Sequence, residues 1–227
     1  MSDSRNTNTV FGRDVVDLPK LVREFSRVIG CSHCVDHGFD KVLRDTDFNL
    51  PWPGYIGSNY QTTRVLLVGQ NPGVSPDRFN EQDRKMAEAL LRLAQTGSVE
   101  AWDALNCIHE TIIPTWPVCR HFPLVESGLA LRDIAYTNAV RCRTERNTAP
   151  LRRVVAACTS SHLAGWLDWL EPRLVVCIGK WAHDAIAPLV RARGISSTFV
   201  NRRRDLSSKL REENREAVAA LVRQVTG

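Results

Sequence analysis

Three sets of residues in this chain combine types and spacings that could do chemistry. The first is Gly69-Gln70-Asn71-Pro72-Gly73, which follows directly on the apolar run from Val65 to Val68. A β-branched and leucine run closed by two glycines and a proline is how an α/β domain presents polar groups at the carboxyl end of a central strand. The same residue types also form plain turns, and the spacing alone leaves both readings open. The second set is four cysteines. Cys31 and Cys34 have the C-x2-C spacing that lets two thiolates reach one metal centre, and Cys142 and Cys158 flank a loop able to bring a second pair to the same point. Four thiolates suit a structural zinc or a [4Fe–4S] cluster, with four reduced buried cysteines as the alternative. The third set is basic: Arg141, Arg143, Arg146, Arg152 and Arg153, then Arg202, Arg203 and Arg204 with Lys209 and Arg211. Guanidinium pairs with phosphate in a bidentate way, so the clusters suit a polyanion partner, while either alone is also compatible with a solvated basic face.

The remaining cysteines carry weaker signals. Cys107-Ile-His109 and Cys119-Arg-His121 offer a formally adequate zinc set, against a packed, proline-rich insertion. Cys177 lies in the apolar run LVVCI, where packing explains it.

The elements that must position these groups follow from patterning. At 227 residues with 43% hydrophobic content, the chain can bury a normal core as one domain, expected over residues 13–227 after a disordered tail at 1–12. No apolar run approaches the roughly 20 residues that span a bilayer, and the first segment lacks a signal-peptide core. A cytoplasmic, monomeric protein without a membrane partner is expected, and in a reducing compartment its seven cysteines are not disulfides. The net charge of +5 comes from the local arginine clusters. An amphipathic helix built on Leu18, Leu21, Val22, Phe25 and Val28 ends at Gly30, just before Cys31. Strands are predicted at 65–69, 134–140, 174–178 and 197–200. Helices are predicted near 80–95, 99–106, 151–170, 181–190 and 207–224, the last capped by Ser207 or Ser208. The stretches before Tyr60 and around IIPTWPVCRHFP read as irregular. Strands alternating with helices predict a three-layer α/β/α sandwich around about four parallel strands.

Taken together, these parts resemble the uracil-DNA glycosylase superfamily, and most closely its iron–sulfur, family-4 type branch. YTNAVRCRTERNTAPLRRVVAAC, from Tyr136 to Cys158, is similar to the family's strand, cluster cysteine, loop, helix and second cluster cysteine. LEPRLVVCIGKWA is similar to the following strand and turn. The resemblance implies DNA as partner and a structural [4Fe–4S] cluster on Cys31, Cys34, Cys142 and Cys158, with zinc as the alternative at the same residues. It implies that Asn71 orients the attacking water, with Gln70, Gly69 and Gly73 giving close backbone approach, and that Asn138 reads the pyrimidine edge. Phe79 is the candidate for stacking on the flipped base, or else packs the first helix after the motif.

The chain also departs from the family pattern. Gly69-Gln70-Asn71-Pro72-Gly73 looks more like the Gly-x-Asn-Pro-Gly of the mismatch-specific and single-strand-selective branches. The residues after Gly73, which close the space beside the pyrimidine C5 in uracil specialists, are Val74 and Ser75 here. The superfamily's His-Pro-Ser or His-Pro-Ala motif is replaced by Val200-Asn201-Arg202-Arg203-Arg204. Asn201 and the three arginines therefore stand where a substitute for that histidine, or a grip on the DNA backbone, would lie. The expected activity is excision of uracil. The alternatives are excision of a 5-modified pyrimidine of phage DNA, such as a hydroxymethylated or glucosylated base, in antiphage defence, and non-catalytic DNA binding on the same scaffold.

Overall fold

The structure is a computed structural model and describes residues 17–39, 42–44, 49–73, 80–202 and 207–227. The expected tail at 1–12, together with Val74, Ser75, Phe79, Arg203 and Arg204, lies outside the described residues.

The first helix, α1 (Leu18–Ile29), is started by Asp17, whose carboxylate accepts the Lys20 amide at 3.0 Å. It buries Leu21, Phe25, Val28 and Ile29 and delivers the chain to Cys31. The segment to Tyr60, expected to be irregular, holds the short helix α2 (His33–Asp36) and two two-residue strands, β1 (Val42–Leu43) and β2 (Tyr55–Ile56). Strands this short among prolines and glycines leave no alternating pattern to read. Gly54 precedes β2 with a φ of 129°, and a Cβ there would stand 2.5 Å from the Trp166 ring and 2.7 Å from the Tyr136 carbonyl. Only glycine lets β2 reach the sheet.

The helix α3 (Tyr60–Thr63) leads into the central strand β3 (Val65–Gly69). Helices α4 (Asn80–Thr96) and α5 (Val99–Ile112) follow, and α5 runs a turn and a half beyond the predicted 99–106, capped by Ser98. The proline-rich section expected to be irregular forms a 3-10 turn at Ile113–Thr115 and α6 (Pro117–His121). Pro114 and Pro117 each occupy a first-turn position, where the missing N–H costs nothing. The strand β4 (Ile134–Asn138) is followed by β5 (Arg143–Thr144), which pairs antiparallel with β1.

Residues 151–170, predicted as one helix, form three pieces: α7 (Arg152–Cys158), a π-helical turn at Thr159–Leu163, and α8 (Ala164–Leu170). The hydroxyls of Thr159 and Ser160 donate back to the carbonyls of residues 155–157 at 2.8–3.2 Å and accompany the widened turn. Then come β6 (Leu174–Ile178), α9 (Lys180–Ala192), β7 (Ser196–Val200) and α10 (Ser208–Thr226), whose cap is Ser207, accepting the Leu210 amide at 3.2 Å.

The main sheet has the order β2-β4-β3-β6-β7, so five strands rather than four. β4, β3, β6 and β7 are parallel, and β2 is an antiparallel edge on β4. The three inner strands are buried along their whole length, as a sheet covered on both faces requires. Helices α1, α4 and α5 pack on one another, and α9 and α10 pack on β6 and β7, which gives the three-layer α/β/α fold. The chain runs from β3 out to β4 on one side and from β6 to β7 on the other. The switch point therefore falls at the carboxyl ends of β3 and β6, where a ligand crevice is expected.

Candidate active site and cysteine pocket

Parallel register aligns Gly69 with Asn138, and the alignment continues past both strands: Ala139 and Val140 donate their amides to the carbonyls of Gly69 and Gln70 at 2.9 and 3.0 Å. Two motifs 69 positions apart in sequence thus end side by side. Above them opens a cleft of ≈ 720 Å³, lined by residues that include Gly69 to Gly73, Tyr136, Asn138 and Arg202.

Asn138 is 1% exposed, and its Oδ1 accepts from the Tyr136 hydroxyl at 3.3 Å. The side chain of Asn138 leans over Gly69: a Cβ on Gly69 would fall inside 3.0 Å of Asn138 Oδ1 and at 3.1 Å from Tyr136 Oη. Gly69 is therefore needed for the room it leaves rather than for a turn. Burial pushes the Tyr136 phenol well above the usual tyrosine range, so it stays a neutral donor at any ordinary pH.

Asn71 is positioned by β5. Its Nδ2 donates to Thr144 Oγ1 at 3.1 Å and to the Pro72 carbonyl at 3.2 Å, and the Thr144 hydroxyl donates to the Thr148 carbonyl at 2.6 Å. Among the described residues no donor is bonded to the amide oxygen of Asn71, which is left to accept. Beside it, Arg143 pairs with Asp83 of α4 at 2.8 Å, both side chains nearly buried in the cleft wall.

Part of the cleft lining is aromatic. Trp52, Trp116 and Tyr136 meet with ring centroids 5.0–6.2 Å apart, and Trp116 comes from the proline-rich turns. His109 lies behind them, fully buried, its Nε2 accepting from Trp52 Nε1 at 3.4 Å, and burial lowers its pKa to about 3. It is a packed histidine beneath the cleft. Among the described residues no three His, Cys, Asp or Glu side chains converge on a single metal ion, so the structure does not assemble the Cys107, His109, Cys119 and His121 set.

Of the replaced histidine segment, Arg202 reaches the cleft. Its charge lowers the pKa of His121, after burial as the larger cause, and offsets part of the rise at Tyr136. The Asn201 amide is held by Asn214 Oδ1 of α10 at 2.7 Å, which ties this segment to the closing helix.

Cys31, Cys34, Cys142 and Cys158 line one pocket of their own. Burial, then the neighbouring thiols Cys158, Cys34 and Cys31, push the Cys142 thiol far up, and the same causes, partly offset by Arg141, raise Cys158 to about 11. Thiols that repel one another's ionised forms in a buried hollow need a cationic guest to become thiolates. The Arg141 amide already donates to Cys158 Sγ at 3.2 Å, the bond a metal-bound thiolate receives. The residues thus fit a group held by four thiolates. The same four donors suit a [4Fe–4S] cluster or a zinc ion.

Thr144, Tyr136 and the tryptophan pair were not singled out from the sequence. Tyr136 and Thr144 stand in the very stretch that carried the family resemblance, while Trp52 and Trp116 sit in proline-rich segments with no periodic signal.

A parallel sheet with a glycine-bounded polar motif at its switch point defines an α/β protein that binds its ligand at the carboxyl edge of the sheet. The family model described as the Uracil DNA glycosylase superfamily matches residues 57–221, and the chain belongs to that superfamily. A 63-residue segment is 32% identical to the Type-4 uracil-DNA glycosylase of Archaeoglobus fulgidus, covering 28% of this chain. The match spans 31% of that relative's length.

Proposed function

We propose that this protein is a DNA glycosylase that hydrolyses the N-glycosidic bond of a flipped pyrimidine and leaves an abasic site. The observation that supports it most is the alignment of Gly69 with Asn138, which sets the amides of Asn71 and Asn138 on one cleft. Asn71 Oδ1 accepts a hydrogen bond from water and turns its lone pair toward C1′. As the bond breaks, its electron pair departs with the base, positive charge spreads over the sugar, and the water oxygen adds to C1′. An amide is no base, so the proton released by the water passes to solvent or a DNA phosphate. Asn138 reads the base edge: with Oδ1 held by Tyr136, its Nδ2 is presented as donor to a ring carbonyl. The leaving base carries negative charge, and the Arg202 guanidinium supplies the stabilisation that the family's histidine would give. Gln70 and the glycines of the motif allow close backbone approach, and the basic residues around Arg202 meet phosphates. Phe79 remains the proposed stacking residue from the sequence. The enzyme acts as a monomer, and its four pocket cysteines hold a structural [4Fe–4S] cluster.

Uracil is the first substrate to test. A 5-modified pyrimidine, and with it a role against phages carrying modified DNA, is the second reading. It is favoured by the ≈ 720 Å³ cleft, which offers more room than a bare pyrimidine fills, and by the aromatic wall that Trp116 adds. Duplexes carrying uracil, 5-hydroxymethyluracil or glucosylated 5-hydroxymethylcytosine, incubated with the protein and heated in alkali, separate these readings. Strand cleavage is expected on at least one duplex and is lost in Asn71→Ala. No abasic product on any of them leaves DNA binding without catalysis as the function.

A further inference from the structure

The π turn after Cys158 directs a histidine at the cysteine pocket. His162 is 4% exposed and lines the hollow that the four cysteines share, yet among the described residues neither of its ring nitrogens has a partner. Arg141, 1% exposed, lines the same hollow with Nε and Nη2 unpartnered among the described residues. Its other contacts are made: Nη1 donates to the Pro53 carbonyl at 2.6 Å and the guanidinium lies 4.8 Å over Trp166. Each unmet buried donor costs about 1–3 kcal/mol, and an uncompensated buried charge costs more. Two residues from different elements carry that cost toward one pocket. Single turns of π-helix inside a helix recur at functional sites, and here the turn sets where His162 stands.

We propose that His162 and Arg141 are hydrogen-bond donors to the group that the four cysteines hold, and so set how tightly it is kept and how easily it is reduced. This rests on the iron–sulfur reading above. Four thiolates around an iron–sulfur core make an anion whose sulfurs accept N–H bonds, matching an unpartnered guanidinium edge and a ring N–H. Donors to the sulfurs favour the more negative, reduced form, so removing one lowers the reduction potential.

The test compares wild-type protein, His162→Leu, which keeps bulk without a donor, and His162→Gln, which restores an N–H. Iron and sulfide per chain, the midpoint potential, and the bleaching rate under a chelator are measured. His162→Leu is expected to bleach about 10-fold faster or more, in line with the loss of an outer-shell partner, and at a lower potential. His162→Gln is expected to stay near wild type. Equal rates and potentials for His162→Leu and wild type overturn the proposal, as does equal loss in both variants. Should His162→Leu fail to fold, protein labelled with nitrogen-15 histidine and carrying His33→Gln, which removes the other histidine ring lining the pocket, decides: a ring-nitrogen coupling to the reduced cluster in pulsed electron paramagnetic resonance supports the bond, and no coupling overturns it. Wild-type protein free of iron and sulfide overturns instead the iron–sulfur reading.

Discussion

Gly69→Ala tests the geometry of the cleft more sharply than removal of any functional side chain, because it adds one methyl and deletes nothing. The new Cβ falls inside 3.0 Å of Asn138 Oδ1 and at 3.1 Å from Tyr136 Oη. β3 cannot retreat, since it is hydrogen-bonded on both sides and buried along its length. Asn138 must therefore swing away, breaking its bond to Tyr136. Overpacking of this kind costs about 1–3 kcal/mol of stability. Displacing a preorganised polar contact from the reacting group costs about 10²–10³ in turnover. Urea unfolding and single-turnover excision, scored by alkaline cleavage, measure both. Gly73→Ala is the stability control: among the described residues its Cβ would meet only Asn147 Oδ1 at 3.5 Å, an ordinary contact, and a change within about 0.5 kcal/mol is expected. The double variant Gly69→Ala with Asn138→Ala should be less destabilised than the sum of its parts, because the clash needs both side chains. Turnover and stability of Gly69→Ala both indistinguishable from wild type would refute the proposed placement of Asn138.

Other outcomes follow from the same contacts. Thr144→Val removes the acceptor of Asn71 Nδ2 and a buried donor to Thr148, so stability should fall by about 1–2 kcal/mol and turnover about 10-fold with little change in KM. Unchanged turnover would show that β5 does not hold Asn71 in its working position. Arg202→Gln distinguishes two roles: as stabiliser of the departing base it should cut turnover by about 10² while the salt dependence of kcat/KM stays, whereas a phosphate contact would make that slope shallower by about 0.9. The first outcome is expected. Trp116→Ala should leave uracil excision within a few fold but weaken excision of a bulky 5-substituted base by about 10–100-fold, the worth of one stacking contact. Equal effects on both substrates would remove the aromatic wall from substrate choice.

The central strands were legible because a buried parallel strand is a continuous apolar run: β3, β4 and β6 begin and end within two residues of where the sequence puts them. The superfamily was legible through the cysteine spacing and the two asparagine motifs. The antiparallel edge β2 was not, since two residues carry no periodicity and their pairing rests on Gly54. The break in the 151–170 helix was hidden for the opposite reason: its apolar spacing is good for a helix throughout, and only the hydroxyls of Thr159 and Ser160 accompany the wider turn.

Sequence by itself determined the four parallel strands and the longer helices between them, the motif at 69–73, Asn138, and the cysteine pattern, because each is encoded in neighbours along the chain. Tertiary structure decided what those residues face. It put Tyr136 behind Asn138 and Thr144 behind Asn71. From the replaced histidine segment it brought Arg202 to the cleft, and it turned His162 and Arg141 toward the four cysteines. Such pairings are set by register across the sheet, which depends on contacts between residues far apart in the chain, and by a helix that widens where its apolar spacing gives no sign of it.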